Sequence, residues 1–168
     1  MRIKLRFFLL LIVVTGFAVC AAVEVFMQIS LRQKVNRLRE QGALVNFSEG
    51  EITIHFGPLC CMEQSFSDAD MPKLVTGINS FPRIETLSFS EPDLTNVGFA
   101  SLLKLDKHVN VDRLIILDCA IDDSCIETFC KLGNFKAIRF LNCDNLTSNG
   151  VERLRQCHPN SEISFSNE

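Results

Sequence analysis

Three segments of this chain place residues of the same character at the same intervals, and that recurrence limits the fold more than any other feature. "LSFSEPDLTNVGFASL" (87–102), "LIILDCAIDDSCIETF" (114–129) and "IRFLNCDNLTSNGVERL" (138–154) share one pattern. Each runs apolar, any, apolar, then through variable residues to an apolar residue, a small polar residue, a small residue and two further apolar positions. Phe89, Ile116 and Phe140 mark the first half at spacings of 27 and 24; Phe99, Ile126 and Val151 mark the second at 27 and 25. A fainter copy, "FSDADMPKL" (66–74), puts Met71 28 residues before Phe99. A period of this length describes one small unit used repeatedly, which buries its apolar face only when neighbours stack on it.

The residue types say what the unit is. Leu87–Phe89, Leu114–Ile116 and Ile138–Phe140 alternate and so predict short strands, which stacking would pair as a parallel sheet. Thr95, Asp122 and Thr147 stand where helices would begin and can accept from an orphan backbone amide, with Ser67 in the same place in the faint copy. Gly98 and Gly150 fall where helix and turn must pass closely, a place held by Asp70 and Cys125 in the other copies. "SEISFS" (161–166) predicts a last strand with Ile163 and Phe165 facing in. "ALVNFSEGEITIHF" (43–56) alternates around "SEG" and predicts a hairpin closing the other end of the stack.

Cys143, Leu146-Thr147, Gly150, Leu154 and Cys157 occur in the order of the C, LT, G, L and C of one repeat family. On those residues the chain resembles a leucine-rich repeat protein of the ribonuclease-inhibitor-like, cysteine-containing type, over about residues 50–168. The resemblance implies an α/β leucine-rich-repeat solenoid of about four strand-turn-helix coils on a parallel sheet, and work in binding other proteins. Repeats of this type also serve as substrate-recognition parts of ubiquitin ligases. No F-box-like segment precedes them here, so that role is not expected.

Cysteines number eight. Cys119 and Cys143 share one register position, while Cys130 and Cys157 fall toward helix ends, and all four read as buried free thiols acting as small hydrophobes. A Cys119–Cys143 disulfide is the alternative if the body lies in an oxidising compartment. Metal ligation is not expected, since no CxxC pair exists and Cys157-His158 has no second pair at ligand spacing. Cys60-Cys61, beside Pro58, is the candidate for redox chemistry or an intermolecular link.

The start of the chain is different in kind. Phe7–Val23 carries no charge, follows Arg2, Lys4 and Arg6, and extends through "EVFMQ" toward an interface. Residues 1–6 thus read as a basic tail, 7–27 as a single-pass membrane anchor, 28–42 as a charged helical stalk ended by Gly42, 43–56 as the hairpin and 57–168 as the repeat domain. A cleaved signal sequence, with small residues at Ala18, Ala21 and Ala22, is the rival reading. The apolar run exceeds the usual length of a signal core, which favours retention. Arg32, Lys34, Arg37 and Arg39 put positive charge after the span as well as before it, so the positive-inside rule alone does not orient the chain. The short tail favours a cytoplasmic amino terminus with the body outside.

Residues 1–42 hold seven basic and two acidic side chains, and the rest ten and eighteen. An acidic body argues against nucleic acid, which needs a basic face to displace counterions. Asp68/Asp70 and Asp122/Asp123 start helices, where negative charge is favoured, and capping explains them better than catalysis or calcium. His55, His108 and His158 are scattered, with no HExxH, nucleophile elbow or glycine-rich phosphate loop. No catalytic residue, cofactor, metal or small-molecule substrate is therefore expected. Sequons at Asn46 and Asn145 are matches common by chance. The expected working surface is the outward side of the sheet: Ser88, Glu91, Ile115, Leu117, Asp118, Arg139, Leu141 and Asn142. Apolar residues at outward positions, Ile115, Leu117 and Leu141, suggest contact with a partner or burial under a hairpin or loop.

Overall fold

The computed structural model describes residues 2–48, 51–57, 66–133 and 135–167, with side chains from residue 13 onward. The Cys60–Cys61 pair lies outside the described residues. The chain divides into two units, residues 1–36 and residues 37–168.

The first unit belongs to helix α1 (Arg2–Glu40). Its apolar stretch is long enough and uncharged enough to cross a membrane, a property it shares with signal sequences near an amino terminus.

The second unit is built on a six-stranded sheet in the order β1-β2-β3-β4-β5-β6, so every strand lies beside its neighbour in sequence. Strands β1 (Ala43–Ser48) and β2 (Glu51–Phe56) form the antiparallel hairpin that the alternation predicts, closing at Ser48 opposite Glu51. All later pairings are parallel: β2 with β3 (Arg83–Ser90), β3 with β4 (Asn110–Leu117), β4 with β5 (Ala137–Leu141) and β5 with β6 (Glu162–Ser166). Phe89, Ile116 and Phe140 sit side by side across the sheet, with Phe56 and Phe165 continuing the row at either end.

Parallel neighbours need a return path, and short helices supply it. Helices α2 (Met71–Ile78), α3 (Asn96–Phe99), α4 (Ile126–Lys131) and α5 (Ser148–Cys157) cover the inward face, with short 3-10 turns at Ala100–Lys104 and Asp123–Cys125. The caps fall largely as the residue types require. Thr95 accepts from the Val97 amide, Asp122 from Ser124 and Thr147 from Gly150. Ser67 does not cap: its amide and hydroxyl both donate to Asp70 Oδ2, and α2 begins after Asp70 with no side-chain cap. Pro72 in the first turn needs no amide partner, which lowers the demand for a cap there.

The core is a file of phenylalanines. Phe66, Phe56, Phe89, Phe99, Phe129 and Phe140 touch in succession, with ring centroids 5.3 to 5.7 Å apart. Phe56 stacks flat on Phe89 while Phe89 meets Phe99 edge to face, the two arrangements that the ring quadrupole favours. The protein has 14 Phe with no Trp or Tyr, and that choice suits a core with no polar tip to satisfy.

Two of the four cysteines read as free thiols differ from that expectation. Cys130 and Cys157 are bonded to each other, with Cα atoms 5.4 Å apart, because they end two helices that pack side by side. Cys119, Cys125 and Cys143 are free and buried, so the alternative Cys119–Cys143 bond is not formed. The Cys119 and Cys143 thiols are turned toward backbone carbonyls, those of Leu117 at 3.3 Å and Leu141 at 3.5 Å. Burial pushes the Cys119 and Cys125 thiols up to about 12 and raises that of Cys143, so all three stay protonated and inert as nucleophiles.

Candidate interaction surface

Side chains that alternate away from the phenylalanine file form the outward face. One row across the strands is His55, Ser88, Ile115, Arg139, Ser164; the next is Ser90, Leu117, Leu141, Ser166. The eight expected residues divide into three groups. Ser88 and Glu91 are buried, at 8% and 4% exposure, and so is Ser90 at 8%, which removes the β3 end of the face from solvent. Ile115, Leu117 and Leu141 are half-buried, while Arg139 is exposed. Asp118 and Asn142 are not strand residues: each follows its strand with φ of 53°, a left-handed turn conformation that Asp and Asn tolerate better than most. Their amides donate to Leu141 O and Ser166 O, and Asn142 Nδ2 donates to Asp118 Oδ1 at 3.0 Å.

The accessible face therefore lies over β4 to β6. It has an aliphatic centre and differently charged ends. At the end where the strands begin, Arg113 pairs with Glu85, and Arg139 approaches Glu162 at 3.5 Å. Where the strands end stand Asp118 and Asn142. Exposed ion pairs of this kind add little stability.

Beside this face lies a pair that residue spacing does not reveal. His55 Nδ1 is 3.1 Å from Ser88 Oγ across the β2–β3 pairing. Among the described residues, His55 Nε2 and Glu91 Oε2 are buried without a hydrogen-bond partner, as is Gln41 Oε1. Burial lowers the His55 pKa below its ordinary 6.5, which keeps the ring neutral at pH 7. A hydroxyl beside an imidazole suggests nucleophilic chemistry, which needs a third group orienting the far ring nitrogen; among the described residues none bonds His55 Nε2. The only sequence signal for the contact is the register of the hairpin against β3.

The carboxylates read as helix caps do further work. Asp68 accepts from the Thr95 amide at 2.8 Å and hydroxyl at 2.5 Å; Asp123 accepts from the Thr147 amide at 2.8 Å and hydroxyl at 2.6 Å. Asp122 accepts from Asn96 Nδ2 at 2.7 Å and gives its amide to Asn96 Oδ1. These acids tie each connection to the next. A side chain added at Gly98 or Gly150 would run into Asp68 or Asp123 respectively, so the glycines are small because a carboxylate passes over them. Asp112, nearly buried, accepts from both Lys136 and Arg83 at 2.9 Å, which holds its carboxyl down to about 2. Among the described residues no three His, Cys, Asp or Glu side chains gather as a metal would require.

The chain matches no model of a known protein family, and no curated protein matches it.

Proposed function

We propose that this is a membrane-anchored, non-enzymatic leucine-rich-repeat protein, wound as a small solenoid, that binds another protein on the outward face of its sheet. The observation that carries the reading is the strip of Ile115, Leu117 and Leu141, aliphatic side chains that remain half-exposed on the outward side of a parallel sheet. An apolar strip rimmed by polar residues is a feature of protein contact sites. The in-register run from β2 to β6 supports winding, and the apolar α1 supports the anchor. A body outside and an amino terminus in the cytoplasm is supported by the Cys130–Cys157 bond, since disulfides persist in oxidising compartments.

Charged replacements test the surface. Leu117→Glu with Leu141→Glu is expected to abolish co-purification of a detergent-solubilised partner and leave thermal unfolding unchanged; a lowered unfolding temperature would instead make these residues part of the core. Digestion of the second unit by protease added to intact cells is the expected result for its side of the membrane, and full protection would reverse the orientation.

A further inference from the structure

The Cys130–Cys157 bond sits unlike the other described body cysteines. Cys119, Cys125 and Cys143 are buried, whereas Cys157 is exposed, and both bonded residues line a shallow cleft of about 420 Å³ between α4 and α5. Ile126 supplies an apolar wall, and the charges around the cleft are Lys131, Arg153 and Glu127, two cations against one carboxylate. All three charged side chains belong to exposed residues. Cations beside a disulfide raise the local concentration of an anionic attacker and stabilise the thiolate that leaves.

We infer that this cleft is a site of thiol–disulfide exchange for a small thiol bearing negative charge. The thiolate of the small molecule attacks Cys157 Sγ; a new S–S bond forms, the Cys130–Cys157 bond breaks, and its electron pair leaves on Cys130 Sγ beside Lys131. Cys130 then takes a proton from water. A second small thiolate attacks the small-molecule sulfur of the mixed disulfide, releasing Cys157 as thiolate and the small molecule as its own disulfide. Two electrons pass from two small thiols to one protein disulfide, and the covalent tie between α4 and α5 is lost. Exchange in the other direction restores it.

The test uses the full chain in detergent micelles, oxidised, with 2-mercaptoethanesulfonate, 2-mercaptoethanol and cysteamine as anionic, neutral and cationic probes at equal thiolate concentration. The anionic probe is expected to open the bond about fivefold faster than the neutral one at low salt, with the cationic probe slowest, and high salt should compress the order. Mass spectrometry should find the first adduct on Cys157. Lys131→Glu with Arg153→Glu should invert the order, and Arg153→Lys should preserve it. The salt dependence of the unaltered chain decides the matter if the double variant does not fold. Equal rates for the three probes at low salt, or an adduct found only on cysteines outside this pair, would overturn the proposal.

Discussion

Replacing one hydrogen of Gly150 with a methyl group brings it against the carboxylate of Asp123, and that carboxylate is not free to move. It is held by the Thr147 amide and hydroxyl. Gly150→Ala should therefore cost about 1–3 kcal/mol, as overpacking does, although alanine is the better helix former by up to about 1 kcal/mol. In an Asp123→Ala background the collision is gone, and the same change should become neutral or stabilising. Chemical denaturation of the four chains of this cycle checks the reversal of sign; additive effects would mean that Asp123 does not set the glycine. His55 gives a second prediction. Its folded pKa lies below the unfolded 6.5, so the unfolded chain takes up the proton first as pH falls. The stability that neutral His55 contributes is whole above pH 6.5 and is lost as pH drops through the folded value. His55→Asn should flatten that part of the stability–pH curve, and a curve of unchanged slope would deny His55 this role.

Helices α4 and α5 are joined by a bond closing a loop of sequence separation 27, which in the chain-entropy account stabilises by about 3.5 kcal/mol. Cys130→Ala with Cys157→Ala should lower the unfolding free energy by about that amount, measured under non-reducing conditions, while Cys119→Ala disturbs packing and leaves the pairing of Cys130 with Cys157 intact. At this scale the sequence speaks clearly about strands and caps. Alternation in Leu87–Phe89, Leu114–Ile116 and Ile138–Phe140, and cap residues at Thr95, Asp122 and Thr147, are local signals, and local geometry satisfies them. The disulfide was not legible, because Cys119/Cys143 and Cys130/Cys157 have similar spacings and only the direction in which each thiol turns separates them. Nor was the reach of Asp68 and Asp123 from one connection to the next, since a carboxylate at a helix start looks like a cap whichever amide it serves. Burial of Ser88 and Glu91 on a face read as open has no counterpart in their residue types, which usually lie in water.

In the second unit the outer strands β1 and β6 pair on one side only among the described residues, and an unpaired strand edge is open to strand addition from other copies. Both margins carry the same device. Arg39 Nη2 donates to Val45 O in β1 at 3.0 Å, and Arg155 Nη2 donates to Ile163 O in β6 at 3.2 Å, so each outer strand has a backbone carbonyl already engaged by a guanidinium. Arg155→Ala should bring on crosslinked dimers of the full chain in detergent at lower concentration than the unaltered protein. Equal crosslinking of the two would remove the blocking role.

With Ser88 and Ser90 covered, the outward face that stays open runs from β4 to β6, about 10 Å across at the usual strand spacing. That is about the diameter of a single α-helix with its side chains. On the proposed reading, one helix or one extended segment lying along the strands would match that width.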